Sequence, residues 1–323
     1  MSLPPILSDR LRLPAIASPL FLVSGPELVI AQCQAGVVGS FPSLNARPHA
    51  QFREWLVRIN EELAKHDADN PDSPSAPYAV NLIVHKSNDR LEEDLATVVE
   101  FQVPIVITSL GARPDVNEAV HSYGGIVLHD VINNVFAHKA VERGADGLIA
   151  VAAGAGGHAG AQSPFALLNE IRSWFDGPLL LSGAIAHGRS ILAAQAAGAD
   201  LAYIGTAFIA TDEANAVTGY KQMIVDSTAG DIVYSNFFTG VHGNYLRPSI
   251  TAAGMDPDNL GQSDPSAMNF GTVADAPAGA KPWRDIWGSG QGIGAIDAVV
   301  PVAAVVDRLT REYADAKARL RTL

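Results

Sequence analysis

Residues Gly147–Gly160 read GLIAVAAGAGGHAG, an apolar run that breaks into small residues and delivers a single histidine, His158. A strand with no polar alternation is buried on both faces, as in a parallel sheet covered by helices. Two later stretches repeat the pattern: LLLSGAIAHG at Leu179–Gly188 and LAYIGTAFIAT at Leu201–Thr211. Each is an apolar strand that ends on a glycine next to a hydroxyl residue. Glycine lets backbone come close to a ligand, and the start of the next helix offers N–H groups to an anion. The three turns are expected to hold a phosphate-bearing cofactor, with His158 over its reactive end.

Outward from this stretch, strand-length apolar runs recur at Ala15–Ser18, Val37–Ser40, Ala79–Leu82, Ile105–Thr108 and Ile126–His129. With Gly147–Val151, Leu179–Ser182 and Leu201–Ile204 they make eight, most followed by a helix-like stretch. Those stretches include Glu27–Ala35, Gln51–Lys65, Asn88–Phe101, Pro114–Ser122 and Asn134–Gly144. Such alternation implies parallel βαβ units, and eight of them suit a (β/α)8 TIM barrel. A doubly wound open sheet is the alternative and would want fewer strands. The run HDADNPDSPSAP, His66–Pro77, reads as a surface loop.

After the eighth strand the rhythm stops. Residues 213–286 read as a smaller inserted substrate or lid domain over the C-terminal mouth, where active sites of this fold sit. It holds a helical piece, Ala214–Thr228, the segment NFFTGVHGNYLRPSI and a loop-rich run to Pro282. Residues 1–212 and 287–323 would form the barrel, ending on a helix with Val302, Val305, Val306, Leu309, Tyr313 and Leu320 at helical spacing.

Composition narrows the function. The net charge of −12 argues against nucleic acid or an anionic membrane as partner. No apolar run approaches the ~20 residues that span a bilayer, and MSLPPILSDRL has no signal-peptide pattern. A cytoplasmic protein is the expectation. The one cysteine, Cys33 in IAQCQAG, reads as a buried thiol on a helix.

Among chemical constellations, the loops after the last two strands come first. Gly183 and Gly205–Thr206 occupy the places where barrels of this kind bind phosphate. The match of Gly154, Gly156 and Ala159 to a dinucleotide fingerprint is discounted, because five strand–helix units precede it and Pro164 delays the helix. His158 lies beyond a strand end with little around it to shield it, and an imidazole titrating near ~6.5 can take a proton at neutral pH. No metal site is expected, since His85, His129 and His187 lack ligand-spaced partners. His242, Asn244 and Tyr245 form a polar and aromatic cluster that could shape a substrate pocket or satisfy itself internally.

GAGGHAG, LLLSGAIAHGRSILAAQAAGAD, IGTAFIAT and the later W-x-S-G-Q together resemble the nitronate monooxygenases, formerly called 2-nitropropane dioxygenases. The resemblance runs from ASPLFLVSGPELVIAQCQAGVVG to WGSGQ, and in the same segments the chain is similar to FMN-dependent enoyl-acyl-carrier-protein reductases. It implies FMN in a (β/α)8 barrel, with Asn81 and Gln291 near the flavin ring and His158 as catalytic base. Gly156, Gly183, Gly205 and Thr206, with their neighbours Gly157, Ser182 and Ala184, would hold the ribityl-phosphate arm. Val151 and Gly154 stand where the family has glutamine and glutamate, and Asp130 where some relatives carry lysine.

The implied reaction is oxidation of an alkyl nitronate by molecular oxygen to a carbonyl compound and nitrite. The alternatives are an NAD(P)H reductase acting on quinones or enoyl thioesters, and a barrel that binds flavin without turnover. A homodimer is compatible with each.

Overall fold

The computed structural model describes residues 3–8, 10–263 and 285–322. Its strands in chain order are β1 (Ala15–Ala17), β2 (Gly39–Pro42), β3 (Tyr78–Ile83), β4 (Ile105–Ser109), β5 (Ile126–Val131) and β6 (Gly147–Val151). These are followed by β7 (Gly157–His158), β8 (Leu179–Ser182), β9 (Leu201–Ile204), β10 (Ile232–Ser235) and β11 (Gly243–Leu246). Eight of them form one parallel sheet in the order β1-β9-β8-β6-β5-β4-β3-β2. The ends meet where Ile16 bridges Val38, with the Ala17 amide donating to the Val38 carbonyl at 2.8 Å, so the sheet closes as a barrel. The open-sheet alternative is thereby set aside.

The expected strand at Val37–Ser40 begins two residues later, at Gly39. The reason is that Val38 is committed to the closing bridge with Ile16 rather than to the β2–β3 ladder. Helices fill the connections close to where they were expected. The helix His49–Asp69 runs further than anticipated, which shortens the following loop, and Asp67 there accepts from the Ser75 amide and hydroxyl at 2.7 and 2.6 Å.

Strand side chains alternate between two environments, as a period of two requires. Ile16, Ala79, Ile105, Ile107, Leu128, Ile149, Leu180 and Leu201 pack together inside the barrel, and Leu7 from the N-terminal turn joins them. Their neighbours Val80, Val106 and Val127, or Leu148, Leu181 and Ala202, face the outer helices instead. Cys33 is fully buried on the helix Pro26–Gln34, and burial pushes its thiol up to about 12, so it is an inert core residue.

Beyond β9 the chain forms the helix Thr218–Asp226 and the hairpin β10–β11. Phe238, Tyr245, Ile250 and Ile286 make a small core of their own, whereas Tyr220 and Ile224 pack into the barrel's large cluster. Part of the expected loop-rich run to Pro282, residues 264–284, lies outside the described residues.

The final helix, Val302–Leu320, buries Val302, Val305, Val306 and Leu309 against the barrel; Leu320 of the expected stripe is exposed. None of the described helices is long and apolar enough to cross a membrane. This last helix crosses Gly188 backbone to backbone: a side chain there would meet the Leu309 carbonyl at 2.5 Å. Gly188→Val should therefore lower stability by about 1–3 kcal/mol through overpacking, read as an earlier urea midpoint. An unchanged midpoint would show that the helix does not dock there.

Candidate active site

The alternation that fills the barrel with aliphatic side chains continues upward into polar ones. Two residues above Ala79, Ile107 and Leu128 stand Asn81, Ser109 and Asp130, and Ser182 and Tyr203 follow Leu180 and Leu201 in the same way. All five line a cavity of about 1810 Å³ at the C-terminal mouth. The floor of the cavity is thus the uppermost interior layer of the barrel, set by strand register alone.

Across this floor runs a hydrogen-bonded chain. The Asn81 amide nitrogen donates to the Ile107 carbonyl at 3.0 Å and to the Ser109 hydroxyl oxygen at 2.8 Å. Ser109 in turn donates to Asp130 Oδ2 at 2.6 Å. Burial raises the Asp130 carboxyl to about 6, against the opposing pull of the Ser109 hydroxyl. Beside it, His129 Nδ1 lies 2.6 Å from the Thr108 hydroxyl, and desolvation holds its imidazole down at about 4.

The wall opposite is the glycine-rich loop after β6, which carries almost no side chains with which to pack. Its shape comes from outside. Gly157 and His158 pair with Asn244 and Gly243 as the third strand of the β10–β11 sheet. Asn244 donates to the Ala155 carbonyl at 2.6 Å, Tyr234 donates to the Ala159 carbonyl at 3.0 Å, and the Ala159 amide donates to the His242 carbonyl at 3.1 Å. From the barrel side, the amides of Ala184 and Gln291 both donate to the Gly154 carbonyl, at 3.2 and 2.8 Å. Gly154 and Gly157 take φ of +86° and +65°, where a side chain is strained, so a glutamate at position 154 would fit this loop poorly.

His158 Nε2 sits 3.0 Å from the Thr239 hydroxyl oxygen. The Thr239 hydroxyl also lies 3.0 Å from the Val241 carbonyl, so it can serve the imidazole as donor or acceptor and holds the ring in place in either tautomer. Desolvation lowers His158 to about 4, which keeps it neutral, and so able to accept a proton, throughout the neutral range.

The expected site residues divide into two groups. Asn81, Gly156, Gly157 and His158 line the cavity, as do Ser182, Gly183, Ala184, Gly205 and Thr206. His242 and Tyr245 line it too. Asn244 does not: it is buried and bonded to the loop backbone. Gln291 is exposed on the outside of the loop, near Gly154, while Gly290 and Gly292 on either side of it reach the cavity. Ser109, Asp130, Tyr203 and Thr239 were missed, although a period of two from the apolar core would have found the first three.

Two of the glycines, Gly156 and Gly183, leave no room for a side chain. A Cβ on Gly183, at φ +143°, would lie 2.8 Å from the Ala153 carbonyl, and one on Gly156 would lie 2.8 Å from the Gly290 amide. Gly205 leads into the single turn Thr206–Ile209, and Thr206 Oγ1 accepts from the Gly290 amide at 2.9 Å. Typical small-molecule pockets span roughly 300–1,000 Å³, so this cavity has space for a flavin nucleotide together with a second small molecule.

The family model for nitronate monooxygenases matches residues 47–312. A nitronate monooxygenase of Paraburkholderia phytofirmans is 26% identical, over 95% of this chain and 94% of its own. Among solved structures, the nitroalkane oxidase of Streptomyces ansochromogenes superposes with a TM-score of 0.80 at 23% identity, covering 97% of this chain and 99% of its own. FabK from Thermotoga maritima gives 0.77 at 22% identity, covering 98% and 97%. The structural likenesses support the barrel fold; the family match supports more. The chain belongs to the nitronate monooxygenase family of flavin-dependent oxidoreductases.

Proposed function

We propose that this protein oxidises alkyl nitronates with molecular oxygen to carbonyl compounds and nitrite, using FMN as its flavin and His158 as its base. The observation that carries the reading is a neutral imidazole fixed at the edge of a cavity whose opposite walls are a glycine cradle and a polar floor. Gly183–Ala184 and Gly205–Thr206 would take the phosphate end, Gly156–Gly157 the arm, and Asn81 the ring end. When bound, FMN supplies the electron-transfer chemistry; the polypeptide supplies position, proton transfer and exclusion of water.

The His158 imidazole takes the α-proton of a neutral nitroalkane, and Thr239 holds the ring in place. For a substrate that arrives already ionised the imidazole orients rather than deprotonates. Tyr245 and His242 close the cavity from the 213–286 side, which acts as the substrate-facing cover of the barrel formed by 1–212 and 287–323. A reductase would share this cavity, and anaerobic mixing separates the two. NADH and NADPH are expected to leave the flavin largely oxidised, and rapid bleaching by either would move the assignment to a reductase.

His158→Asn should retain FMN and lose about 10²–10⁴-fold in turnover of a neutral nitroalkane, with a smaller loss on the preformed nitronate. Equal losses on both, or none, would remove the base role. In the wild type, the acid limb of kcat/KM that is due to His158 should lie toward pH 4, below the usual imidazole range, because the lowered group stays deprotonated until then. An imidazole limb in the ordinary range, lost in His158→Asn, would show that the ring is solvated. Gly183→Ala should destabilise the turn by about 1–3 kcal/mol and lower the FMN content of the purified protein. Unchanged FMN content and Tm would exclude that turn from the cradle.

A further inference from the structure

Asp130 has no part in the reaction as described above, yet the barrel places it on the cavity floor at the end of a hydrogen-bonded chain with one direction. Asn81 donates to Ser109 and Ser109 donates to Asp130 Oδ2, at 2.8 and 2.6 Å. Each donor points toward the carboxyl, and Asp130 itself lines the cavity. A side chain that only accepts along its buried edge can exchange a proton only with what lies in the cavity.

The charged surroundings do not pin it in the ionised form. Tyr203 on β9 shares the interior layer; burial, and then the Asp130 charge, hold its phenol well above the usual range. His129, next to it on β5, is held neutral at neutral pH by burial. His158 on the loop after β6, and Lys139 and Arg143 near the cavity mouth, are further ionisable residues that line the cavity. Among the described residues none of them forms an ion pair with Asp130, and Arg143 is turned to the Ala112 carbonyl at 2.6 Å.

We propose that Asp130 is the proton-accepting residue of the cavity floor: when a flavin settles over the Asn81–Ser109–Asp130 chain, the carboxylate takes one proton from solvent, keeps it, and offers the resulting O–H as a hydrogen-bond donor to an acceptor on the ligand. The inference rests on the flavin reading. Its physical basis is desolvation, because a flat ring laid on the floor removes water from the one carboxylate oxygen that Ser109 does not serve. A low-dielectric site disfavours the charged form. The balance is simple: one proton leaves bulk water, one negative charge disappears from the cavity, and no electrons move. Burial already holds the ligand-free carboxyl up at about 6, so the ring has only to lift it by about two pH units more for nearly a full proton to be bound at neutral pH. Asp130 would be a positioning residue for the ring and a setter of the local charge against which the ring is reduced.

Calorimetric titration of FMN into the flavin-stripped full chain, in two buffers of different ionisation enthalpy, counts the protons taken up. At about pH 7 the wild type is expected to gain about one proton more per FMN than Asp130→Asn; the comparison cancels any proton exchanged by the phosphate. Ser109→Ala supplies a second arm, since losing its donated hydrogen bond raises the ligand-free carboxyl further. Uptake at about pH 7 should then shrink and recover at higher pH. Equal proton counts in wild type and Asp130→Asn, or an unshifted profile in Ser109→Ala, would overturn the proposal, because the carboxylate would be staying ionised under the ring. If FMN binds neither wild type nor variants, it is the flavin assignment itself that falls.

Discussion

The antiparallel pairing of Gly157 and His158 with Asn244 and Gly243 is the contact on which the site depends. A loop of glycine and alanine has no side chains to pack and pays a large conformational entropy for order. Here that order comes from backbone hydrogen bonds to the inserted hairpin on one side and to Ala184 and Gln291 on the other. The glycines are required by this arrangement, since three lines of backbone converge where Gly154, Gly156 and Gly290 meet. The barrel supplies the floor, the glycine-rich loop supplies the wall, and the β10–β11 hairpin holds that wall in place.

The polar floor follows from a simpler rule. Five strands of the barrel, β3, β4, β5, β8 and β9, keep an aliphatic residue inside and change to a polar one a single period higher, at the mouth, whereas β6 stays apolar at Val151. The change from Leu128 to Asp130, or from Ile107 to Ser109, moves the chain from packing to chemistry within one strand. The carboxyl raised at Asp130 and the imidazoles lowered at His129 and His158 are then consequences of the same desolvation. Groups shifted toward neutrality by burial in one cleft are what a proton-handling site requires.

Much of this was legible in the residues. Apolar runs without polar alternation marked the parallel strands, and glycines at their ends marked the cavity wall, because both signals are local. Position 38 misled for a non-local reason: Val38 reads as strand, but its partner is Ile16 across the closing seam rather than its neighbour in the β2–β3 ladder. The strand at Gly157–His158 was also invisible, since two residues acquire that state only from the hairpin against which they lie. Gln291, expected near the flavin ring, lies outside the cavity beside Gly154, and Asn244, left open between shaping a pocket and internal satisfaction, does the second by holding the loop. Spacing located the segments correctly and could not say which way the side chains would turn.

If this cavity holds FMN with its ring between His158 and the floor, the flavin travels with the purified chain. The decisive measurement is the visible absorption spectrum of the purified full chain, with identification of the chromophore released on denaturation. A yellow protein that releases about one FMN per chain is the predicted result. A colourless protein that takes up no added FMN would show that the cavity is not a flavin site.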